Sequence, residues 1–257
     1  MKLEFYKYQG TGNDFIIIDN RQNIFDKNDT KRVAELCDRR FGIGADGLIL
    51  LESHPDVDFE MVYYNADGNQ SSMCGNGGRC IVAFAKYLGL IESKATFLAI
   101  DGMHHASIEG DYVKLHMKDV SSVNKFSDYT QLDTGSPHYV TLSNGVDGLN
   151  VKQLGSEVRY SEIFKAEGIN VNFVEHLKDN VFKVRTYERG VEDETLSCGT
   201  GVTAVAIAMN YIGETEKNIV ELKTPGGDLQ VMFQKEGDTY RDVWLCGLAK
   251  QVFKGYL

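Results

Sequence analysis

The sequence predicts an α+β (mixed α/β) fold of two pseudo-symmetric halves, each a strand-rich, barrel-like sheet around a central helix. Three observations predict this architecture: an internal repeat, short strand-like segments, and a helix-like run after a Cys-Gly-x-Gly motif in each half. The chain has 257 residues, 42% of them hydrophobic and 25% charged, which is typical of a globular protein. That length gives each half the size of a small domain.

The internal repeat consists of four landmarks that return in the same order at an offset of 123 to 127 residues. Chance matches among glycine-rich turns do not preserve order and spacing together, so we interpret the landmarks as a repeat. It predicts halves over 1–119 and 120–247, with an active site in the cleft between them, where small ligands usually bind. The matching segments are 11–17 with 134–140, 74–77 with 198–201, 87–89 with 211–213, and 109–111 with 236–238.

The strands and helices follow from local composition. Short β-branched or aromatic segments flanked by turn residues predict strands over 15–19, 48–51 and 59–64. The run 79–88 stops at a glycine suited to a left-handed cap, and we predict a helix there. The run 202–212 is apolar on nearly every side and also stops at a glycine, which predicts a helix buried all round.

Charge and cysteine content exclude several classes of function. With 27 Lys and Arg against 37 Asp and Glu, the net charge is −10 and no basic block is present, so no nucleic-acid partner is expected. No stretch is long and apolar enough to span a membrane, and the first residues lack a signal core, so we expect a cytoplasmic protein without membrane contact. Five cysteines do not make a disulfide framework, and their spacing does not fit zinc, so no metal is predicted.

Cys74 and Cys198 stand out among the cysteines because each precedes Gly-x-Gly at the start of a predicted helix, at matching places in the repeat. The first N–H groups of a helix lack partners within it and attract anions. A substrate carboxylate is therefore expected at these two helix starts. The backbone groups that would hold it belong to Gly75, Asn76, Gly199 and Thr200.

Two thiols related by the pseudo-symmetry would reach one α-carbon from opposite faces, one as thiolate and one as thiol. Taking a proton from one face and returning one to the other inverts the stereocentre. The helix N-termini favour the thiolate and stabilise the negative charge that develops beside the carboxylate. This pattern predicts an amino-acid epimerase that needs no cofactor, with a small-molecule amino acid as its partner. A non-catalytic redox or binding protein is the alternative from another class.

The motifs at 10–15, 65–68, 73–80, 187–190 and 194–201 together make the chain resemble the diaminopimelate epimerase family over nearly its whole length. The resemblance implies interconversion of L,L- and meso-2,6-diaminopimelate, in lysine and cell-wall precursor synthesis, with Cys74 and Cys198 as acid and base. It also implies a homodimer and a C-terminal segment, 248–257, that returns to the first half. Further residues it implies are His138 and Glu188 for catalysis, and Asn13, Asn65, Gly75, Asn76, Asn170, Glu188, Arg189, Gly199 and Thr200 for substrate binding.

One position departs from the family pattern. Where the family usually has Gly-Asn-Pro-His, this chain has Ser136 in place of the asparagine, which shortens the side chain and removes an amide donor. A proline or hydroxyproline racemase on the same fold is the nearest alternative, since Cys-Gly-x-Gly is shared with such enzymes. The polar groups of Asn65, Asn170, Glu188 and Arg189 disfavour it, because a small cyclic imino acid could not occupy them.

Overall fold

The computed structural model describes residues 2–71 and 74–257. Met73, which opens one of the motifs above, lies outside the described residues. The chain divides into two compact units: unit 1 comprises Met1–Leu115 and Gly247–Leu257, and unit 2 comprises His116–Cys246. Each unit contains one of the two cysteines predicted to act in catalysis.

The elements of unit 1 alternate strands with two helices. In chain order they are β1 (Glu4–Gly10), β2 (Asn13–Asp19), α1 (Thr30–Cys37), β3 (Gly47–Glu52), β4 (Phe59–Asn65), α2 (Gly75–Tyr87), β5 (Lys94–Ala99), β6 (Gly102–Glu109) and β7 (Tyr112–His116), of which the last residue belongs to unit 2. The predicted strands over 15–19, 48–51 and 59–64 are confirmed as parts of β2, β3 and β4.

The elements of unit 2 follow a closely similar plan. They are β8 (Val123–Lys125), β9 (Thr130–Asp133), β10 (Pro137–Leu142), a 3₁₀ turn (Val146–Gly148), α3 (Val151–Arg159), β11 (Asn170–Lys178), β12 (Val181–Glu188), β13 (Asp193–Thr195), α4 (Gly199–Ile212), β14 (Ile219–Thr224), β15 (Gly227–Glu236) and β16 (Thr239–Leu248), of which the last two residues belong to unit 1. The chain ends with β17 (Lys250–Tyr256), which pairs antiparallel with β1 of unit 1.

Strand pairing repeats between the units. In unit 1, β17, β1 and β2 pair antiparallel, β2 pairs parallel with β3, β3 antiparallel with β4, β4 parallel with β5, and β5 to β7 antiparallel. In unit 2 the same alternation runs through β8, β9, β10, β11, β12, β14, β15 and β16. The repeat in the sequence is therefore a repeat of topology, and the predicted fold class is confirmed.

The central helices α2 and α4 carry the sites. The helix α2 packs against β1, β2, β3, β6 and β17, and α4 against β8 to β12, β14 and β15. Both confirm the predicted helices, and Gly213 ends α4 in a left-handed conformation with φ of 89°. Alanine, valine and isoleucine on every side of α4 remove it from water, as expected of a helix surrounded by strands.

The helices α1 and α3, which contact β3 in unit 1 and β11 to β13 in unit 2, were not predicted. Their N-caps, Asp29 and Asn150, accept hydrogen bonds from the backbone N–H groups of Arg32 and Gln153. Each packs on a separate apolar cluster, which Val33 and Leu36 join in unit 1 and Val151 joins in unit 2. Among the helices of the described residues, none has the length and hydropathy that a membrane-spanning helix requires.

Candidate active site

Cys74 occupies the N-cap position of α2, directly before Gly75. Its Sγ lies 3.5 Å from Asn13 Oδ1, at the start of β2. The Asn76 side chain donates from Nδ2 to the same Asn13 oxygen over 3.3 Å. Three of the predicted site residues, Cys74, Asn13 and Asn76, therefore form one hydrogen-bonded group within unit 1.

The other end of the Asn13 amide meets a cluster of charges. Asn13 Nδ2 donates to Asp46 Oδ2 over 2.5 Å, and the Asp46 carboxylate also pairs with Arg39. The neighbouring Asp14 forms ion pairs with Lys7 and Arg39, at 2.7 Å each. Burial raises the pKa of Asp14, but hydrogen bonds from Arg39 and Lys7 outweigh burial and lower it to about 2. The Asp14 carboxylate is consequently a hydrogen-bond acceptor at neutral pH.

Arg79 supports this group from one turn further along α2. Its side chain is fully buried, and its guanidinium donates to Asn76 Oδ1 over 3.1 Å, to Thr11 Oγ1 over 2.7 Å and to the Gly75 carbonyl over 3.3 Å. A buried guanidinium with several oxygen acceptors holds its neighbours in fixed orientations. Arg79 thus ties the start of α2 to the turn between β1 and β2.

Cys198 occupies the corresponding N-cap position of α4 in unit 2, and 7% of its surface is exposed. Its Sγ lies 3.5 Å from Thr200 Oγ1. The Thr200 hydroxyl is also 3.0 Å from His138 Nε2, and the Thr200 carbonyl accepts a 2.8 Å bond from Thr134 Oγ1. The structure therefore brings Cys198, Thr200 and His138 together, as three neighbouring members of the predicted site.

His138 lies wholly inside unit 2, and burial lowers its pKa to about 3; to a smaller extent Asp133 raises this pKa and Arg189 lowers it. The ring is neutral at physiological pH. Its Nδ1 lies 3.2 Å from Asn172 Nδ2, and the same amide nitrogen donates to the Tyr139 carbonyl over 3.0 Å. Asn172 holds the imidazole on the side away from Thr200.

Asn170, Glu188 and Arg189, which the resemblance implies bind substrate, lie in a second part of unit 2. Asn170 donates to Ser136 Oγ over 2.8 Å and accepts from the Arg189 backbone N–H over 2.8 Å. The Arg189 guanidinium donates to the Glu167 carbonyl, and Glu188 ends β12 beside it. The hydroxyl at position 136 is therefore a direct partner of Asn170, so the departure from the family pattern falls within this group.

Asn65 ends β4 opposite Gly47, the residue that follows Asp46. Asn65 is exposed, and its backbone N–H and carbonyl bond to Asn69 and Gly68. The remaining cysteines, Cys37, Cys80 and Cys246, are buried. Burial raises the pKa of both Cys37 and Cys80 to about 12, so these two thiols stay protonated at neutral pH.

Four supporting residues were missed by the sequence prediction: Asp46, Arg79, Thr134 and Asn172. The strand spacing of Asn170 and Asn172, which places both on one face of β11, was a usable signal for the last of them. The side chains of the described residues bring no three His, Cys, Asp or Glu together with the geometry of a metal site. The chemistry that the groups offer is proton transfer by two thiols with polar side chains around each.

Comparison with known proteins gives a consistent result. The family model described as diaminopimelate epimerase matches residues 5–122 and 130–247. A diaminopimelate epimerase from Flavobacterium psychrophilum is 55% identical over 253 residues, which cover 98% of this chain and 99% of the relative.

Solved structures extend the similarity of fold. A phenazine biosynthesis protein of the PhzF family from Bacillus anthracis superposes with a TM-score of 0.77 at 13% identity, covering 100% of this chain and 99% of the other. A probable proline racemase from Agrobacterium radiobacter superposes with a TM-score of 0.70 at 15% identity, over 99% of this chain and 92% of the other. At such identities the similarity concerns the fold alone.

Proposed function

Because the chain belongs to the diaminopimelate epimerase family, and is thus an isomerase acting on a small molecule, we propose that it interconverts L,L- and meso-diaminopimelate with Cys74 and Cys198 as acid and base. The observation that carries the proposal is the equivalence of the two cysteines. Each is the N-cap of the central helix in its unit, at the same place in a repeated strand topology. A packing role alone gives no reason for that equivalence.

In the proposed reaction one cysteine, as thiolate, removes the α-proton, and the other, as thiol, delivers a proton to the resulting carbanion. Backbone N–H groups at the two helix starts would hold the reacting carboxylate and stabilise the charge that spreads into it. Asn170, Arg189 and Glu188 offer an amide, a guanidinium and a carboxylate, which suit the distal amino-acid end. The homodimer and the cytoplasmic location remain predictions.

The proposal is tested by incubating the purified, reduced protein with L,L-diaminopimelate in D₂O without pyridoxal phosphate, and following the products by NMR. We expect meso-diaminopimelate deuterated at the inverted α-carbon. A folded protein that produces no exchange with this substrate would overturn the proposal. Proline and hydroxyproline, supplied in a parallel incubation, would then test the alternative on the same fold.

Variants of single cysteines assign the roles. Cys74→Ala and Cys198→Ala should each lower the turnover rate about 100-fold or more, which is the usual contribution of a positioned acid or base. Cys246→Ala is the matched control, because Cys246 is a buried cysteine on β16 and should leave turnover close to normal. Near-normal turnover in either of the first two variants would contradict the assignment.

A further inference from the structure

We propose that the free enzyme rests with Cys198 as the thiolate and Cys74 as the thiol. The inference builds on the function proposed above and adds a division of roles between the two cysteines. Both cap a helix N-terminus, so the field of the helix acts on both and cannot distinguish them. Their side-chain partners differ, and the direction of each hydrogen bond can be worked out from groups that can only donate or only accept.

In unit 1 the orientation of Asn76 is set by Arg79. A guanidinium has donors and no acceptor, so the Asn76 atom 3.1 Å from it must be the amide oxygen. The Asn76 amide nitrogen is then left to donate to Asn13 over 3.3 Å, which makes the facing Asn13 atom its oxygen.

The contact of the Asn13 amide with Asp46 gives the same orientation of that amide independently. The Asp46 carboxylate only accepts, so the Asn13 atom 2.5 Å from it is the amide nitrogen. The Asn13 oxygen is therefore the atom 3.5 Å from Cys74 Sγ, and because that oxygen has no proton, the sulfur must supply one. Arg79 and Asp46 are positioning residues that together favour the protonated form of Cys74.

In unit 2 a chain of hydrogen bonds leads to the Cys198 sulfur, and its donors point toward that sulfur. Asn172 Oδ1 accepts from Thr186 over 3.0 Å, and its Nδ2 donates to the Tyr139 carbonyl, which fixes the amide. The nitrogen 3.2 Å away, His138 Nδ1, must therefore accept. A neutral imidazole with an unprotonated Nδ1 carries its hydrogen on Nε2.

That tautomer leaves the hydrogen of Thr200 unused by His138. His138 Nε2 donates to Thr200 Oγ1 over 3.0 Å, and the Thr200 hydroxyl hydrogen is then available to Cys198 Sγ at 3.5 Å, which is the direction we infer. A sulfur that accepts a hydrogen bond is favoured as the anion. Asn172 is thus a positioning residue that acts on Cys198 through His138 and Thr200.

The charged groups around the two networks are of both signs. In unit 1 they are Arg79, Lys7 and Arg39 against Asp14 and Asp46. In unit 2 the charges that act on His138 are Asp133 and Arg189. Since each network has cations and anions, the charges do not separate the two cysteines. Burial favours the thiolate at the half-buried Cys74 over the buried Cys198, so the hydrogen bond donated to Cys198 Sγ has to outweigh this difference in burial.

The proton balance of a turnover follows. Cys198 takes the α-proton and becomes a thiol, and Cys74 gives its proton to the opposite face and becomes a thiolate. The product leaves behind an enzyme with the two protonation states exchanged. Proton exchange with water returns it to the resting form. The resting form therefore acts on the stereoisomer whose α-proton faces Cys198, and the reverse reaction starts from the form with the two protonation states exchanged.

The test is the pH dependence of alkylation of each cysteine in the substrate-free protein, with iodoacetamide and quantification of the two peptides by mass spectrometry between pH 5 and 10. The midpoint is compared rather than the rate, because the midpoint does not depend on how accessible a sulfur is. We expect the Cys198 midpoint to lie below that of Cys74 by about one pH unit or more, as one charge-assisted hydrogen bond provides. Equal midpoints, or a lower midpoint for Cys74, would overturn the assignment.

Two variants should move the midpoints in opposite directions. Thr200→Val removes the donor and should raise the Cys198 midpoint by about one unit without moving that of Cys74. Asn13→Ala removes the acceptor and should lower the Cys74 midpoint only. Thr203→Val is the matched control on α4, because its hydroxyl bonds to the Gly199 carbonyl rather than to a cysteine. Shifts of the same sign in both test variants would indicate a general structural disturbance and contradict the inference.

The tautomer is checked separately by ¹⁵N NMR of the His138 ring. We expect a protonated Nε2 and an unprotonated Nδ1, and the reverse would break the relay to Cys198. None of these measurements requires turnover of diaminopimelate. A protein that epimerises the substrate but has a lower midpoint at Cys74 would therefore contradict this inference and leave the proposed function standing.

Discussion

His138 links the site to the stability of unit 2. The folded protein holds the ring neutral, with a pKa of about 3, whereas an unfolded chain has an ordinary histidine near 6.5. Between these values the unfolded state binds more protons than the folded state, so the free energy of unfolding falls as the pH falls through this window. Above pH 6.5 the ring is neutral in both states, so His138 no longer makes the free energy of unfolding depend on pH.

The expected loss of stability from His138 is about 2 kcal/mol between pH 7.5 and 5.0, at about 1.4 kcal/mol per pH unit below 6.5. Urea unfolding at both pH values measures it, with His138→Gln reducing the difference by that amount. His105→Gln, at an exposed position, is the control and should keep the full difference. An unchanged pH dependence in His138→Gln would show that the buried ring is not responsible.

The sequence predicted the residues that contact the two sulfur atoms but not the residues that orient those contacts. Cys74 and Cys198 were predictable because the repeat places them at equivalent helix starts. The repeat does not mark Arg79 or Asp46 in this way. An arginine beside a cysteine and an aspartate in a loop are common in any sequence. Their roles follow from three-dimensional contacts between β2, α2 and the segment before β3, which sequence separation conceals.

At the scale of the element, the two ends of α4 have separable roles. A Cβ placed on Gly201 would lie 2.7 Å from Asn172 Oδ1 and 3.2 Å from Cys198 Cβ, so this first turn has no room for a side chain. At the other end, a Cβ on Gly213 would meet nothing within 4 Å, and only the positive φ of 89° favours glycine there. We therefore expect a side chain at the first position to affect function and one at the second to affect stability.

Gly201→Ala should therefore lower turnover at least about tenfold, because Asn172 and Cys198 must shift. Gly213→Ala, its matched control, should cost about 1 kcal/mol of unfolding free energy and leave turnover close to normal. Steady-state rates and urea unfolding of both proteins measure the contrast. Normal turnover in Gly201→Ala would show that the first turn of α4 tolerates a methyl group without disturbing the network.

The sequence predicted some of the helices and strands but not others. The helices α2 and α4 were predicted from their composition and their terminal glycines. The helices α1 and α3 have only 8 and 9 residues, and helices this short are marginal in isolation, so packing on the sheet determines them. Strand pairing between β10 and β11, or β12 and β14, links distant segments and leaves no local signature.

At the scale of the whole molecule, unit 1 is built from both ends of the chain. The strand β17 pairs with β1 from Glu4 opposite Tyr256 to Gln9 opposite Lys250, and Gly255 packs against the Phe5 ring. The strand β1 in turn contacts α2, the helix that begins beside Cys74. The last residues of the chain thus support the site of the first unit.

Removal of residues 249–257 should consequently weaken unit 1 selectively. Without β17, one edge of β1 loses its hydrogen-bond partners, and the start of α2 loses part of its support. We expect faster hydrogen–deuterium exchange in β1 and α2 with unchanged exchange in α4, and turnover reduced at least about tenfold because Cys74 is no longer held in place. Val252→Thr, which alters an exposed side chain of β17 and keeps its backbone, is the control. Equal loss of protection in α2 and α4 would mean that the two units do not open independently, and would contradict the prediction.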